Sequence, residues 1–208
     1  HSLINNTLTM MRIQAECKGL SLTSSISPKT PYNLIGDPHH LRQVLINLIG
    51  NAIKFTETGG IELRINTASE STTDAAIRFE IIDTGIGIPI ERQQSIFDSF
   101  TQADSSTTRK FGGTGLGTTI SKQIVQLMNG EIGLHSVVDV GSTFWFQLPF
   151  TKQASDELLD NNCSFNSMNS LIVCDSECNE LTCLLDSWDV RYKIIKNSKD
   201  SLSALVNS

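Results

Sequence analysis

Between Asp37 and Thr56, apolar residues fall at positions 41, 44, 45, 48, 49, 52 and 53, the spacing of one face of an α-helix. Asp37 suits the N-cap of that helix and Pro38 its first turn. Gln43, Asn47 and Asn51 recur every four residues, so their carboxamides stack along a different face. Gly59-Gly60 then turns the chain. Ile61–Ile65 and Ile77–Ile81 alternate apolar with polar and read as half-buried strands, with the polar stretch from Thr67 to Ala75 as the hairpin loop between them. Lys18 to Leu22 reads as a strand opening, and residues 1–17 as a linker or the tail of an incoming helix. Pro89 starts a short helix running through Phe97. Leu116, Ile120, Ile124, Leu127 and Met128 mark another helix, stopped by Asn129-Gly130, and Ile132–Val138 and Ser142–Phe150 complete the sheet. The order predicts an α+β sandwich with helices on one sheet face.

Beyond residue 150 the pattern changes. Residues 151–167 are mostly polar and read as a linker. Leu171–Cys174 then reads as a strand, Glu177–Trp188 as a helix and Val190–Ile195 as a second strand. A piece of about 40 residues buries too little surface to be stable alone. The expected organisation is 1–17 linker, 18–150 main domain, 151–167 linker, and 168–208 a partial second domain.

Charge and cysteine usage narrow the function classes. The net charge of −6 argues against a general nucleic-acid binder. No apolar run approaches the ~20 residues that span a bilayer, and no signal peptide is visible at the start. Five cysteines with no C-x-x-C pair read as reduced thiols, which suits a cytoplasmic setting and does not suit a zinc site.

Three segments carry candidate chemistry. Amide oxygens on the 37–56 helix are fair ligands for a hard cation such as Mg²⁺, and Lys54, three residues after Asn51, adds positive charge for phosphate. Asp83-Thr-Gly-Ile-Gly87 puts an acceptor-only carboxylate at a strand end, suited to the amino group of adenine, before glycines that let the backbone approach a flat base. Gly112-Gly-Thr-Gly-Leu-Gly117 leads into a helix whose first N–H groups and dipole favour an anion. It lacks the G-K-[ST] of a P-loop and does not follow a strand as a dinucleotide fingerprint does. Each glycine segment alone is a weak signal; the three in this order are a strong one.

Residues 18–150 resemble the catalytic ATP-binding domain of sensor histidine kinases. The resemblance rests on Asn47-Leu-Ile-Gly-Asn-Ala-Ile-Lys-Phe55, Asp83-Thr-Gly-Ile-Gly87, Ile96-Phe-Asp-Ser-Phe100, Gly113-Thr-Gly-Leu-Gly117 and Gly141-Ser-Thr-Phe144. Phe100-Thr-Gln-Ala-Asp104, followed by Thr108-Arg-Lys-Phe-Gly-Gly113, resembles the hybrid kinases in particular. That family implies a two-layer α/β sandwich of the Bergerat type, shared with gyrase-type and MutL-type ATPases. It implies ATP and Mg²⁺ as cofactors, with Asn47, Asn51 and Lys54 as the catalytic set. Asn51 would be the Mg²⁺ ligand, Asn47 would lie beside the triphosphate, and Lys54 would contact phosphate oxygens. Asp83 would read the adenine amino group, with Gly85 and Gly87 shaping the pocket and Thr143 near the base. Phe97 and Phe100 would anchor a lid. Gly113, Thr114, Gly115, Leu116 and Gly117 would line the phosphates. Thr118 departs from the family's usual Leu and brings a hydroxyl to the helix start, where it caps, touches phosphate or is simply drift. Arg109 and Lys110 read equally as phosphate-reaching lid charges and as solvated ones. Arg92 reads as a surface residue, and His39 and His40 as cap or surface residues.

The ATPase relatives carry a water-activating glutamate on the first helix, where this chain has amides at 43, 47 and 51, a site suited to holding ATP for transfer. No Ser-His-Glu-type phosphoacceptor run occurs, so the histidine is expected on a dimerisation domain absent from this chain. The resemblance implies as partners that domain of the same kinase and a receiver domain or response regulator. It implies a homodimeric full-length protein, with room for a membrane anchor elsewhere, and no nucleic acid. Residues 168–208 resemble the opening of a receiver, with one acid, Asp175, where two are usual. The alternatives are a non-catalytic ATP sensor and an ATPase of the same superfamily.

Overall fold

The computed structural model describes residues 2–98, 116–153, 169–173, 182, 185 and 190–195. The chain divides into two compact units, His1–Gln153 and Ala154–Ser208.

The first unit opens with helix α1, Ser2–Cys17, which buries Ile4, Thr7, Leu8, Met11 and Ala15 along one face. It packs on strand β1, Ser21–Ile26, and on helix α2, Pro38–Phe55. The Asp37 carboxylate caps α2 by accepting the N–H groups of His39 at 2.8 Å and His40 at 3.1 Å, and those bonds, the His40 one foremost, hold its pKa below the ordinary aspartate value. The apolar face foreseen for α2 is the buried one: Val44, Leu45, Leu48, Ile49, Ala52 and Ile53.

Strands β3, Gly60–Glu70, and β4, Asp74–Asp83, form a hairpin longer than the sequence suggests. Thr67, Ser69 and Glu70, which the sequence places in the loop, pair instead with Ile77, Ala76 and Ala75 across a bulge between Thr67 and Ser69, leaving only 71–73 to turn. Main-chain pairing needs no apolar side chain, so the pattern has nothing to report there. After β4 come a one-turn helix α3, Ile90–Gln93, and a 3₁₀ turn, Ser95–Phe97, where one short helix was expected. Helix α4, Gly117–Leu127, and strands β5, Glu131–Val137, and β6, Gly141–Lys152, follow. A two-residue strand β2, Leu34–Ile35, too short for any periodicity to reveal, pairs with Thr151 and Lys152.

The sheet runs β1-β3-β4-β6-β2, with β5 sharing the second edge of β6 along 141–147. Only β1–β3 is parallel in this sheet. Alternation sets its inner face: Ala75, Ile77, Phe79 and Ile81 from β4 meet Phe144, Phe146, Leu148 and Phe150 from β6, and Phe79 stacks on Phe146 with ring centroids 4.7 Å apart. Arg78 and Trp145 belong to the other parity, and the Arg78 guanidinium lies over the indole at 4.1 Å.

In the second unit, β7, Asn169–Val173, and β8, Arg191–Ile195, pair in parallel, with Ile172 and Val190 buried. Thr182 and Leu185, inside the expected helix, are helical.

Candidate functional site

Asp83 ends the inward-facing stripe of β4, and that parity brings its carboxylate to the helix side of the sheet rather than to solvent. It is 7% exposed. Burial raises its pKa, and the N–H groups of Gly85 at 2.9 Å and Ser142 at 3.2 Å, both donating to Oδ1, oppose that rise. The carboxylate keeps acceptor capacity beyond those two bonds.

The turn after Asp83 requires its glycines. Gly87 has φ +68°, and a Cβ there would collide with the Val137 carbonyl. At Gly85 a Cβ would come within 2.7 Å of the Phe55 carbonyl oxygen. The turn is bolted on both sides: Ile86 N–H donates to Phe55 O at 3.3 Å, and Asp139 N–H donates to Ile86 O at 2.9 Å. Ser136 Oγ accepts the Ile88 N–H at 2.7 Å and lies 2.9 Å from Ser142 Oγ.

A cavity of about 400 Å³ opens between this turn, α2 and the start of α4. Its walls include Asn51, Ala52 and Phe55 from α2, Asp83, Ile86 and Gly87 from the turn, Arg92 and Ile96 beyond it, Thr118 from α4, and Ser142 and Phe144 from β6. The amide face of α2 meets the α4 N-terminus: Asn47 Nδ2 donates to the Gly117 carbonyl at a long 3.5 Å, and a Cβ on Gly117 would stand 3.9 Å from Asn51 Nδ2. Gln43 is exposed. Thr118 Oγ1 donates to Ile96 O at 2.7 Å, fastening α4 to the 3₁₀ turn.

The sequence-derived residues are thus partly brought together. Asn51, Asp83, Gly87 and Thr118 line the cavity, and Asn47, Gly85, Leu116 and Gly117 adjoin those that do. Lys54 does not line it; its ammonium lies 4.8 Å from the Phe55 ring centroid, and burial lowers its pKa. Phe97 packs edge-on against Phe144 at 6.2 Å, while its neighbour Ile96 lines the wall. Thr143 falls on the opposite parity of β6, and Ser142 and Phe144 face the cavity in its place. Arg92, read as a surface residue, is in the wall. Alternation along Ser142–Phe150 carried the parity signal; nothing local to Arg92 did. Phe100, Arg109, Lys110, Gly113, Thr114 and Gly115 lie outside the described residues.

Mg²⁺ fits this donor set. Among the described residues there is no cluster of three or more His, Cys, Asp or Glu side chains that would make an all-protein metal cage. The cavity instead offers a carboxamide, and Mg²⁺ typically takes one or two protein ligands with waters and substrate phosphates.

Comparison with known proteins bears on the family and the fold. Residues 36–152 match the family model described as histidine kinase-, DNA gyrase B-, and HSP90-like ATPase. The chain is 45% identical over 147 residues to the signal transduction histidine-protein kinase BarA of Escherichia coli (strain K12), covering 71% of this chain and 16% of that protein. It therefore spans about a sixth of that curated relative. Full-length ShkA, solved in complex with AMPPNP, matches with TM-score 0.67 and 26% identity over 97% of this chain and 41% of its own. The nucleotide-free catalytic domain of histidine kinase ThkA shares the fold, with TM-score 0.56 and 24% identity over 71% of this chain and 90% of its own. Among the described residues no helix is long and apolar enough to cross a membrane. The chain belongs to the histidine kinase-, DNA gyrase B- and HSP90-like ATPase family.

Proposed function

We propose that this domain holds ATP·Mg²⁺ in the cavity between α2, the Asp83 turn and α4, and presents the γ-phosphoryl group to a histidine on a dimerisation domain. The observation that carries the reading is the convergence of a buried carboxylate, an α2 carboxamide and the start of α4 on one cavity. Asp83 accepts the adenine amino group, and Ile86, Ile96 and Phe144 supply apolar surface for the ring. Gly85 and Gly87 let the turn pass close to the base. Asn47 lies beside the triphosphate, Asn51 would ligate Mg²⁺, and Lys54 reaches phosphate oxygens by swinging off the Phe55 ring. When bound, Mg²⁺ neutralises charge on the β- and γ-phosphates. Gly117 at the start of α4 lines the phosphates, and Phe97 anchors the lid.

In the transfer, an imidazole nitrogen attacks the γ-phosphorus in line and the bond to the β–γ bridging oxygen breaks, leaving ADP. The domain contributes positioning and fixed dipoles. Residues 1–17 carry the chain from the dimerisation helices, and the whole protein is a cytoplasmic-facing homodimer of the hybrid type. Parallel pairing of β7 and β8 supports a receiver-like reading of residues 168–208, a receiver or response regulator being the next phosphoryl acceptor.

The test supplies labelled ATP, Mg²⁺ and a separate helical-hairpin domain bearing its histidine. The reading expects label on that histidine, lost with Asn51→Ala. Nucleotide binding without transfer overturns it in favour of a sensor, and steady hydrolysis by the chain alone favours an ATPase.

A further inference from the structure

The last four carbonyls of an α-helix have no partner within it. In α2 each of the four has found one from outside the regular helix. Ala52 O accepts the N–H of Thr56 at 3.1 Å, and Phe55 O accepts that of Ile86 at 3.3 Å. The two between, Ile53 O and Lys54 O, both accept from the ammonium of Lys18, at 2.7 and 3.0 Å, and Thr56 O accepts from it at 3.1 Å. A lysine ammonium has three donors, and all three are used here on one helix end. A cation there also meets the negative end of the helix dipole.

The backbone of Lys18 is itself fixed. Lys18 and Leu20 N–H groups donate to Ala15 O at 3.0 Å, Gly19 N–H donates to Glu16 O at 2.9 Å, and Gly19 takes φ +71°, so the end of α1 sets where the ammonium starts from. The α2 turn it closes bears Asn51, Ala52 and Phe55, all in the cavity wall, and Phe55 O holds Ile86 in the turn beside Asp83.

From this arrangement we propose that Lys18 is a positioning residue for the nucleotide site. Through the last turn of α2 it sets the Phe55 carbonyl that carries the Asp83 turn, and so ties the end of α1 to the adenine end of the cavity. The proposal rests on the nucleotide-site reading above. Lys18 touches neither nucleotide nor metal.

The test compares wild type, Lys18→Met and Lys18→Arg by amide hydrogen exchange without nucleotide and by titration with AMPPNP and Mg²⁺. In Lys18→Met, exchange at Ile86 and Thr56 is expected to quicken about tenfold while amides in the middle of β4 and β6 keep their rates, and the Kd is expected to rise about tenfold. Lys18→Arg, which keeps the charge and several donors, is expected to stay within about threefold of wild type in both. A uniform rise in exchange across β4, β6 and α2, with Kd unchanged, overturns the proposal in favour of general stabilisation; so does wild-type behaviour of Lys18→Met. If wild type binds no AMPPNP, the nucleotide-site reading fails, while exchange at Ile86 still decides whether Lys18 places the turn. Should Lys18→Met not fold, Lys18→Gln, which loses the charge and shortens the reach, takes its place with the same expected and overturning results.

Discussion

Ser142 donates its main-chain N–H to the Asp83 carboxylate at 3.2 Å, on the same oxygen that accepts the Gly85 N–H at 2.9 Å. Asp83 and Ser142 are also register partners across β4 and β6. The carboxylate is therefore aimed by two strands and a turn at once, which fixes its orientation without using its full acceptor capacity. The same enclosure disfavours its charge and raises its pKa.

That conflict makes Asp83→Asn informative. An amide oxygen still accepts from Gly85 and Ser142, and the buried charge is gone, so the variant is expected to be at least as stable as wild type at neutral pH. Its NH₂ group now opposes the adenine amino donor, so nucleotide affinity is expected to fall ~10- to 100-fold, the scale of one charged hydrogen bond. Denaturant titration and nucleotide titration on the same sample check the two halves.

The pH dependence has a definite sign. Because the folded pKa of Asp83 lies above its unfolded value, the folded state binds more protons between the two. The contribution of Asp83 to stability is full below the unfolded pKa and is lost as pH rises through the folded pKa. On the proposed reading the ionised carboxylate accepts the adenine amino group, so binding is expected to move the opposite way and weaken as pH falls through that raised pKa. Parallel stability and binding profiles of wild type and Asp83→Asn check this; the Asn variant should show neither dependence at this site.

Gly87→Ala is expected to destabilise by ~2 kcal/mol or more, since it adds a Cβ at φ +68° directly against the Val137 carbonyl. Urea unfolding measures it. A loss below ~0.5 kcal/mol would mean that the turn yields more easily than its bolts at Ile86 and Asp139 suggest.

Phe146→Ala removes a fully buried ring stacked on Phe79 at 4.7 Å. The expected loss is ~3–5 kcal/mol. Phe146 itself is not in the cavity wall, although Ser142 and Phe144 of the same strand are, so nucleotide affinity of the folded fraction should change less than stability.

Much of this architecture is written in side-chain periodicity. The α2 stripe, the alternation of Ile61–Ile65 and Ile77–Ile81, and the stop at Asn129-Gly130 are strong because burial repeats on the period of the backbone. What the pattern missed has other causes. Thr67, Ser69 and Glu70 pair through their main chain while the side chains of Ser69 and Glu70 stay exposed, and β2 is two residues long. Thr143 against Ser142 is a question of parity, which a motif read as a block of residues does not settle. Arg92 lines the cavity because α3 follows the Gly87 turn, a tertiary relationship with no local signature.

The most direct measurement is a crystal structure of this chain grown with AMPPNP and Mg²⁺. The account predicts the adenine amino group within hydrogen-bond distance of the Asp83 carboxylate and a metal ion contacted by the Asn51 amide oxygen. A nucleotide bound elsewhere, or with its base turned away from Asp83, would contradict it.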